Sequence, residues 1–442
     1  MSSARSILSM NRFAGVTVDG QDRALAERLR QREATFGASS VLFYEQPLEV
    51  VRAEGVYLFD VDGRRYLDVY NNVPSVGHCH PKVVEAISRQ VAKLNIHTRY
   101  LVRPVADYAE RLLATFPAPL TNLVMTCTGS ESNDLALRIA ETATGAKGFI
   151  VTQAAYHGNT SAVTEISPSL LRTRAPHAHV RTIPAPAATA GGNDVAAAFS
   201  GALMTAIASL KASGYGFAGL IVDTIFSSDG VHADPPGFLG QAADVTRQAG
   251  GLFIADEVQP GFGRTGAGLW GFARHGIVPD IVTLGKPMGN GFPMAGMVTR
   301  PELLAAFCDE TGYFNTFGGN PVAAAAGLAV LDVIEEERLI ANAATVGALL
   351  KERLSSLVHM SDRVGAVRGA GLFLGLDLVD PEDGAPDARM ASLVINNLRS
   401  HGILMGIAGL HGNTLKIRPP LCLSVEHVDH LMSALISIIN SK

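Results

Sequence analysis

Short, wholly apolar segments alternate with helical patterns along the middle of the chain, from about residue 78 onward. The apolar segments include "GFIVTQ", "GLIVDTIF", "GLFIADEV" and "DIVTLG", and the helical patterns include "HPKVVEAISRQVAKL" and "ESNDLALRIAETATG". A strand that is apolar at every position is buried on both faces, and strands that alternate with helices form parallel sheets covered by helices. The sequence therefore predicts an α/β fold with a mostly parallel sheet.

The two ends of the chain differ from this middle part. Asp62-Gly63 separates two apolar-aromatic runs, which predicts a β-hairpin. From about residue 330 the sequence changes to longer helices, a strand pair in "GAVRGAGLFLGLDLV" and a final helix. We therefore expect a smaller α+β domain at 330–442, joined by an N-terminal segment at 1–75, beside a large domain at 76–329.

Composition excludes several classes of protein. The 442 residues carry a net charge of -5, with 47% hydrophobic and 17% charged residues, which is typical of a globular chain without a nucleic-acid partner. The four cysteines form no C-x-x-C pair, so we expect neither a metal centre nor disulfides, and a cytoplasmic location. We find no signal peptide and no run of about eighteen apolar residues, and expect no membrane span.

The segment 261–266 reads Gly-Phe-Gly-Arg-Thr-Gly, which has the G-x-G-x-x-G spacing of a dinucleotide-binding loop. Such a loop must lead from a strand directly into a helix. Here Pro260 comes first, and "AGLWGFARHG" follows without a clear helix start. The context therefore favours a glycine-rich loop, in which Arg264 is structural, over a nicotinamide or flavin site.

Two ionisable residues follow neighbouring apolar strands. Asp256 ends "GLFIAD" and Lys286 follows "DIVTLG", and in open α/β sheets ligands bind at such strand ends. A buried lysine amine becomes neutral and nucleophilic, and a carboxylate can pair with a protonated ring nitrogen. This combination suits pyridoxal 5'-phosphate, with Lys286 as the Schiff-base residue. A structural ion pair is the alternative interpretation.

Further motifs could complete such a site. Gly129 and Ser130 open the helical pattern after "CT", and a helix N-terminus binds phosphate through its free N–H groups. Tyr156, in "AAYHGNT", could stack on a planar ring, although a core aromatic is equally compatible with that pattern.

Five motifs together resemble those of the class III (ω-amino-acid type) aminotransferase family. They are "DEVQPGFGRTG", "TLGKPMGNGFP", "TGSESNDLALRIA", "AYHGNT" and "YFNTFGGNP". They occur in the family's order over about residues 40 to 435. The resemblance implies the fold type I architecture of pyridoxal-phosphate enzymes. It also implies a homodimer with both sites at the interface.

The resemblance assigns roles to individual residues. Lys286 would hold the cofactor and carry the proton, and Asp256 would pair with the pyridine nitrogen. The other cofactor contacts would be Gly129, Ser130, Tyr156, His157, Val258, Gln259 and, from the neighbouring subunit, Thr316. His157 receives no acid–base role. Substrate contacts would come from Tyr156, Asn72 and Arg418, whose planar guanidinium suits a carboxylate.

One motif departs from many members of the family. Where they read "EPIQGEGG", this chain has "DTIFSSDGV", with Asp223, Phe226 and Ser228 at the positions of Glu, Gln and the later Glu. In glutamate-using members the later Glu pairs with a mobile arginine. Its absence disfavours 2-oxoglutarate as acceptor and favours a small oxo acid such as pyruvate or glyoxylate. The resemblance itself implies an ω-amino acid or amine as the amino donor.

A second departure keeps another activity open. Asn71 and Asn72 stand where amine-preferring members place bulky apolar residues, which indicates a polar substrate head. "GKPMGNG" and "YFNTFGGNP" also resemble the family's phospholyase branch, which acts on phosphoethanolamine or similar phosphorylated amines. Arg99 and Arg103 could bind the phosphate, or could lie on a solvated helix end. The two activities share every cofactor contact, so the motifs do not separate them.

Overall fold

The computed structural model describes residues 12–13, 23–39, 41–171, 175–186 and 194–440. The N-terminal stretch on which the signal-peptide expectation rests lies almost wholly outside these ranges. The strands in the described part of the chain are β1 Val50–Glu54, β2 Tyr57–Asp60, β3 Arg65–Asp68, β4 Asn122–Thr126, β5 Phe149–Thr152, β6 Val180–Ile183, β7 Gly219–Asp223, β8 Leu252–Asp256, β9 Ile281–Leu284, β10 Ala295–Thr299, β11 Val364–Ala370, β12 Phe373–Leu378, β13 Ile403–Leu404, β14 Gly406–Ala408 and β15 Thr414–Ile417.

The α-helices lie before, between and after these strands. They are α1 Arg23–Phe36, α2 Pro81–Val91, α3 Arg103–Leu113, α4 Gly129–Thr144, α5 Ser161–Glu165, α6 Val195–Ala212, α7 Leu239–Gln248, α8 Pro301–Glu310, α9 Pro321–Glu336, α10 Leu339–Met360, α11 Ala388–Ser400 and α12 Val425–Asn440.

A seven-stranded sheet with the order β4-β10-β9-β8-β7-β5-β6 forms the centre of the molecule. Strands β6, β5, β7, β8 and β9 pair in parallel, whereas β10 is antiparallel to both β9 and β4. Every residue of β5, β8 and β9 is buried, as expected for strands covered on both faces. The predicted α/β fold with a mostly parallel sheet is confirmed.

Helix α4 illustrates how the local sequence sets an element that positions the site. Thr128 caps its N-terminus by accepting from the backbone N–H of Glu131, and the Glu131 side chain accepts from the Thr128 backbone in return. Gly145, in the left-handed region at φ 64°, ends the helix. Seven apolar and polar side chains of α4 are buried, so the helix is fixed against the sheet with its N-terminus at the strand ends.

Helix α6 has eighteen residues and a mean hydropathy of 1.5, so length and composition alone would allow it to cross a membrane. Its buried face, which includes Phe199, Leu203 and Leu210, packs in the protein core. Core helices pass the same test, and 39% of α6 is buried inside the protein.

Two four-stranded sheets are built from the ends of the chain. Strands β2 and β3 form the predicted hairpin across Asp62-Gly63, and β3 pairs in parallel with β13, Leu67 opposite Ile403. The other sheet has the order β11-β12-β15-β14. The pairing of β3 with β13 supports grouping the N-terminal segment with the C-terminal part. The domain boundaries at residues 76 and 330 stay predictions.

The glycine-rich segment 261–266 leaves β8 as a series of turns, and the next α-helix is α8. A side chain at Gly266, whose φ is +72°, would place its Cβ 2.7 Å from the backbone of Ala344 in α10. Arg264 between the glycines is fully buried and donates to the carbonyl oxygens of Leu372 and Pro419. The glycines therefore allow close packing against α10, and no dinucleotide-binding loop is formed.

Candidate active site

One cavity lies at the carboxyl ends of the central strands, with about 440 Å³ of space not filled by atoms. Strand β7 contributes Asp223, β8 is followed by Val258, and Lys286 comes two residues after β9. The lining residues are Gly129, Ser130, Tyr156, His157, Gly158, Asp223, Asp256, Val258, Gln259 and Lys286. The structure thus brings together eight residues that the sequence assigned to the cofactor.

Asp256 is held rigidly at the base of this cavity. Its Oδ2 lies 2.7 Å from His157 Nδ1 and accepts from Asn133 Nδ2 at 3.0 Å. Its Oδ1 accepts from the backbone N–H of Val258 at 3.1 Å. With only 4% of its surface exposed, the carboxylate has one position, and such fixation is what a partner for a ring N–H requires.

Lys286 lines the same cavity and is half-buried. Burial is the main cause that lowers its pKa from the ordinary 10.5 to about 8, and the positive charge of Arg418 lowers it further. Asp256 and Asp223 act in the opposite direction. Among the described residues Lys286 forms no ion pair with Asp256, so the alternative of a structural ion pair is not realised. A fraction of this amine is neutral near pH 7 and can act as a nucleophile.

The N-terminus of α4 packs closely against its neighbours at this cavity. A Cβ added to Gly129 would come within 2.9 Å of Val258 Cγ2, so only glycine allows Val258 to lie against this turn. At Gly158, where φ is +142°, a Cβ would meet Ser130 Oγ at 2.5 Å. Val258 and Tyr156 both line the cavity, and the first N–H groups of an α-helix have no partner within the helix.

The residues present therefore fit pyridoxal 5'-phosphate. Lys286 supplies the amine, Asp256 the ring-nitrogen partner, and Gly129 and Ser130 the N–H groups for the phosphate. The chemistry of this donor set, and the space preserved by glycine at positions 129 and 158, carry the assignment.

Arg418, the predicted substrate residue, is buried beside this cavity. It donates to Gln259 Oε1, and to Asn72 Oδ1 at 2.9 Å. Its guanidinium lies 4.5 Å from the centre of the Tyr70 ring. All these partners are neutral, so the charge of Arg418 is left for a ligand.

The remaining predicted residues lie elsewhere in the described part of the chain. Thr316 is exposed and does not line the cavity of its own subunit. Arg99 and Arg103 are also exposed, and Arg99 covers the Phe314 ring at 4.1 Å. Asn71 does not face the substrate pocket, because its side chain donates to Asp68 at 3.0 Å.

Three residues that the sequence did not single out belong to this region. Asn133 links Asp256 to Thr283, whose hydroxyl donates to Asn133 Oδ1 at 2.6 Å. Glu257 accepts from the backbone N–H groups of Gly271 and Phe272, and burial raises its pKa to about 7. Lys416 lies two residues before Arg418. The spacing places Asn133 one turn after Gly129 and Lys416 on the same strand face as Arg418, but it does not reveal the contacts that these residues make.

No group of three or more His, Cys, Asp or Glu residues within the described ranges is arranged to hold a metal ion.

Comparison with known proteins agrees with this site. The sequence model of the class III aminotransferases matches residues 42–439. An alanine–glyoxylate aminotransferase 2-like protein of Drosophila melanogaster is 38% identical over 430 residues, which cover 94% of this chain and 87% of the fly protein.

Two solved structures share the fold. A phospholyase from Arthrobacter in complex with phosphoethanolamine superposes with a TM-score of 0.91 at 43% identity, over 94% of this chain and all (100%) of that one. An amine transaminase from an uncultivated Pseudomonas species, in its pyridoxal-phosphate-bound form, gives 0.82 at 30% identity, over 89% and 95%. The chain is a pyridoxal-phosphate-dependent enzyme and belongs to the class III aminotransferase family.

Proposed function

We propose that this enzyme transfers an amino group from an ω-amino acid or amine to a small oxo acid such as pyruvate or glyoxylate. The observation that carries the proposal is the meeting of three groups: a half-buried, partly neutral lysine amine, a fixed carboxylate, and an arginine that has no anionic partner among the described residues. The resemblance to the Drosophila aminotransferase supports it.

Each residue has a defined task in this reaction. Bound pyridoxal phosphate would supply an electron sink that stabilises negative charge on the carbon beside the amine. Asp256, whose carboxylate is held by His157 and Asn133, would pair with the protonated ring nitrogen. Lys286 would hold the cofactor and would move the proton at the substrate carbon. Arg418 orients the substrate by pairing with the acidic group of that substrate.

The segment after β7 supports a small acceptor. Asp223 accepts from the backbone N–H groups of Ile225 and Ser227, and Phe226 packs between Phe199 and Phe238 at centroid distances of 5.6 and 5.8 Å. Ser228, at the position of the later Glu, provides no carboxylate for an arginine. This chain therefore lacks the carboxylate that pairs with the mobile arginine in the glutamate-using members of the family.

A phospholyase activity is the second candidate, and one finding favours it. The Arthrobacter phospholyase is 43% identical to this chain over nearly its whole length. On the same site, a phosphorylated amine such as phosphoethanolamine would lose phosphate from the carbon next to the deprotonated one, and hydrolysis by one water molecule would then release ammonia and acetaldehyde. No oxo acid would be consumed.

We also propose a homodimer in the cytoplasm. Exposed Thr316 supports the dimer, because the family resemblance gives this residue a role at the neighbouring subunit's cofactor. The cysteines are all unpaired, which agrees with a reducing compartment.

The decisive experiment mixes the purified holoenzyme with substrates in the absence of any oxo acid. One set receives ω-amino acids and simple amines, and the other receives phosphoethanolamine. We expect the visible absorbance of the bound cofactor to fall once, stoichiometrically, without phosphate release, and to return when pyruvate or glyoxylate is added.

Continuous release of ammonia and phosphate without an acceptor would instead establish the lyase and overturn the transfer reaction. The variant Lys286→Ala is the control, because either activity must disappear with the lysine amine. Its fold is checked by circular dichroism, so that a folding defect is distinguished from loss of chemistry.

A further inference from the structure

Asp229 lies in the turn that follows β7, and its side chain bonds to the segment that leads to Tyr156. Its Oδ2 accepts from the hydroxyl of Thr152, the last residue of β5, at 2.7 Å. Its Oδ1 accepts from the backbone N–H of Ala154 at 3.0 Å. Tyr156 and His157, which follow Ala154 closely, both line the cofactor cavity. One carboxylate thus holds the start of the segment that forms part of the cavity wall.

The turn that carries Asp229 is itself bonded to the C-terminal sheet. The backbone N–H of Gly409 donates to the Ser228 carbonyl oxygen at 3.1 Å. Arg368 Nη2 donates to the Gly230 carbonyl oxygen at 2.9 Å. Arg368 belongs to β11 and Gly409 directly follows β14, so both contacts come from the same sheet. The residues on either side of Asp229 are therefore fixed, and its carboxylate bonds to the segment after β5 from a defined position.

Tyr156 lies between the Asp229 contacts and a second fixed point at His157. The His157 carbonyl oxygen accepts from Asn133 Nδ2 at 2.6 Å, and the His157 ring bonds to Asp256 at 2.7 Å. These bonds do not involve Asp229. Removing the Asp229 carboxylate would therefore loosen the chain ahead of Tyr156 while His157 stays in place.

Asp229 belongs to the motif in which this chain departs from many members of the family. Alignment of the segment 223–230 with "EPIQGEGG" places Asp229 where that motif has glycine. Glycine has no side chain that could bond to Thr152 or to Ala154. The connection between the turn after β7 and the segment after β5 is therefore a feature of this sequence and not of the motif.

We propose that Asp229 is a positioning residue, whose carboxylate holds the segment after β5 so that Tyr156 keeps its place in the wall of the cofactor cavity. The proposal concerns how the cofactor is held and not which substrate reacts. It therefore applies equally to the transfer reaction and to the phospholyase reaction.

The competing explanation is that Asp229 acts through its negative charge. The charges of Asp223 and His157 act on Asp229, and the charge of Asp229 acts on Lys416. Asp229→Asn separates the two explanations, because an amide can still accept from the backbone N–H and can donate to the threonine hydroxyl oxygen. Burial raises the pKa of Asp229 to about 6, so at pH 8 the wild type carries the charge and Asp229→Asn does not.

The test measures how the apoenzyme binds pyridoxal phosphate at pH 8, without any substrate. Equilibrium titration gives the affinity, visible circular dichroism reports the surroundings of the bound cofactor, and thermal melting gives the stability. We expect Asp229→Ala to weaken the affinity roughly tenfold, about the effect of one ordinary hydrogen bond, and to reduce the visible dichroism. The loss is not larger, because the Ala155 carbonyl oxygen stays bonded to Ser169. Asp229→Asn should retain both the affinity and the dichroism.

The matched control is Asp280→Asn, at the opposite end of the central strands. Asp280 is a buried carboxylate that accepts from the backbone N–H of Phe253 at 2.9 Å. This variant should lower the melting temperature and leave cofactor affinity and dichroism unchanged. The proposal is overturned if Asp280→Asn affects the cofactor as Asp229→Ala does, or if Asp229→Asn is as impaired as Asp229→Ala. Wild-type cofactor binding in Asp229→Ala also overturns it, or in Thr152→Val, which removes only the hydroxyl, should Asp229→Ala not fold.

Discussion

Three cationic side chains influence one another at the site: half-buried Lys286 lines the cavity, and Lys416 and Arg418 are buried near it. At the scale of single residues, this arrangement controls the protonation of the catalytic amine. Desolvation disfavours the charged form of a lysine, and a neighbouring cation adds to the effect. The consequence is a lysine that is partly neutral at physiological pH before any cofactor arrives.

The rate of cofactor uptake by the apoenzyme should report this directly. Only neutral Lys286 can attack the aldehyde, and its pKa of about 8 lies below the ordinary 10.5. The rate should therefore rise about tenfold per pH unit below pH 8 and level off above it. Stopped-flow absorbance after mixing apoenzyme with pyridoxal phosphate measures the profile.

Arg418→Gln provides the matched comparison for that profile. Removing the second cause of the lowered pKa should move the midpoint toward higher pH, while burial keeps it below 10.5. A wild-type midpoint at the ordinary lysine value would show that Lys286 is solvated in the apoenzyme, which contradicts the structure.

The residues that the sequence could identify are those next to strand ends. Asp256 and Lys286 follow apolar strands, so their convergence follows from the parallel sheet. Asn133 and Lys416 were not identified, because each acts through neighbours on another element. Asn133 reaches Thr283, 150 positions away in the chain, and no local pattern encodes that contact.

At the scale of elements, the N-terminus of α4 packs closely against Val258, which follows β8. This close packing is possible because Gly129 has no side chain. Gly129→Ala should weaken pyridoxal phosphate binding by an order of magnitude or more. Its Cβ would lie 2.9 Å from Val258 Cγ2, so Val258 must shift into the space for the ring. Equilibrium titration of the apoenzyme with the cofactor measures the effect.

Gly201→Ala is the control for that experiment. Gly201 lies inside α6 with no atom within 4 Å of an added Cβ. Alanine there should leave cofactor affinity unchanged and stabilise the helix by about 0.5–1 kcal/mol. Normal cofactor affinity in Gly129→Ala would mean that the space beside Val258 does not hold the ring.

The apolar pattern predicted the direction of most strands in the central sheet, but not the direction of β10. The apolar pattern predicted parallel strands, and β5, β7, β8 and β9 agree. Strand β10 is as apolar as these but runs antiparallel, because only residues 285–294 connect it to β9. A parallel return needs a crossover of a dozen or more residues, so the short connection determines the direction. Composition alone does not carry that information.

At the scale of the whole molecule, exposed apolar side chains gather around the segment that carries Thr316. We call this the 97–101/314–317 patch: His97 packs on Tyr100 and Phe314, Leu101 follows Tyr100, and Phe317 follows Thr316. Tyr100, Leu101 and Phe317 are 61%, 106% and 71% exposed. A contiguous apolar surface of this kind is typical of a protein–protein interface.

The double variant Tyr100→Asp/Leu101→Asp should therefore convert the proposed homodimer into monomers, because burying two carboxylates in an apolar interface costs their hydration. It should also lose cofactor on dilution, since Thr316 of a neighbouring subunit would no longer reach the phosphate. Light scattering measures the mass, and visible absorbance after gel filtration measures retained cofactor. Met204→Asp, which changes a side chain 53% exposed on α6, is the control and should remain dimeric. A dimeric Tyr100→Asp/Leu101→Asp variant with full cofactor content would contradict both the interface and the role of Thr316.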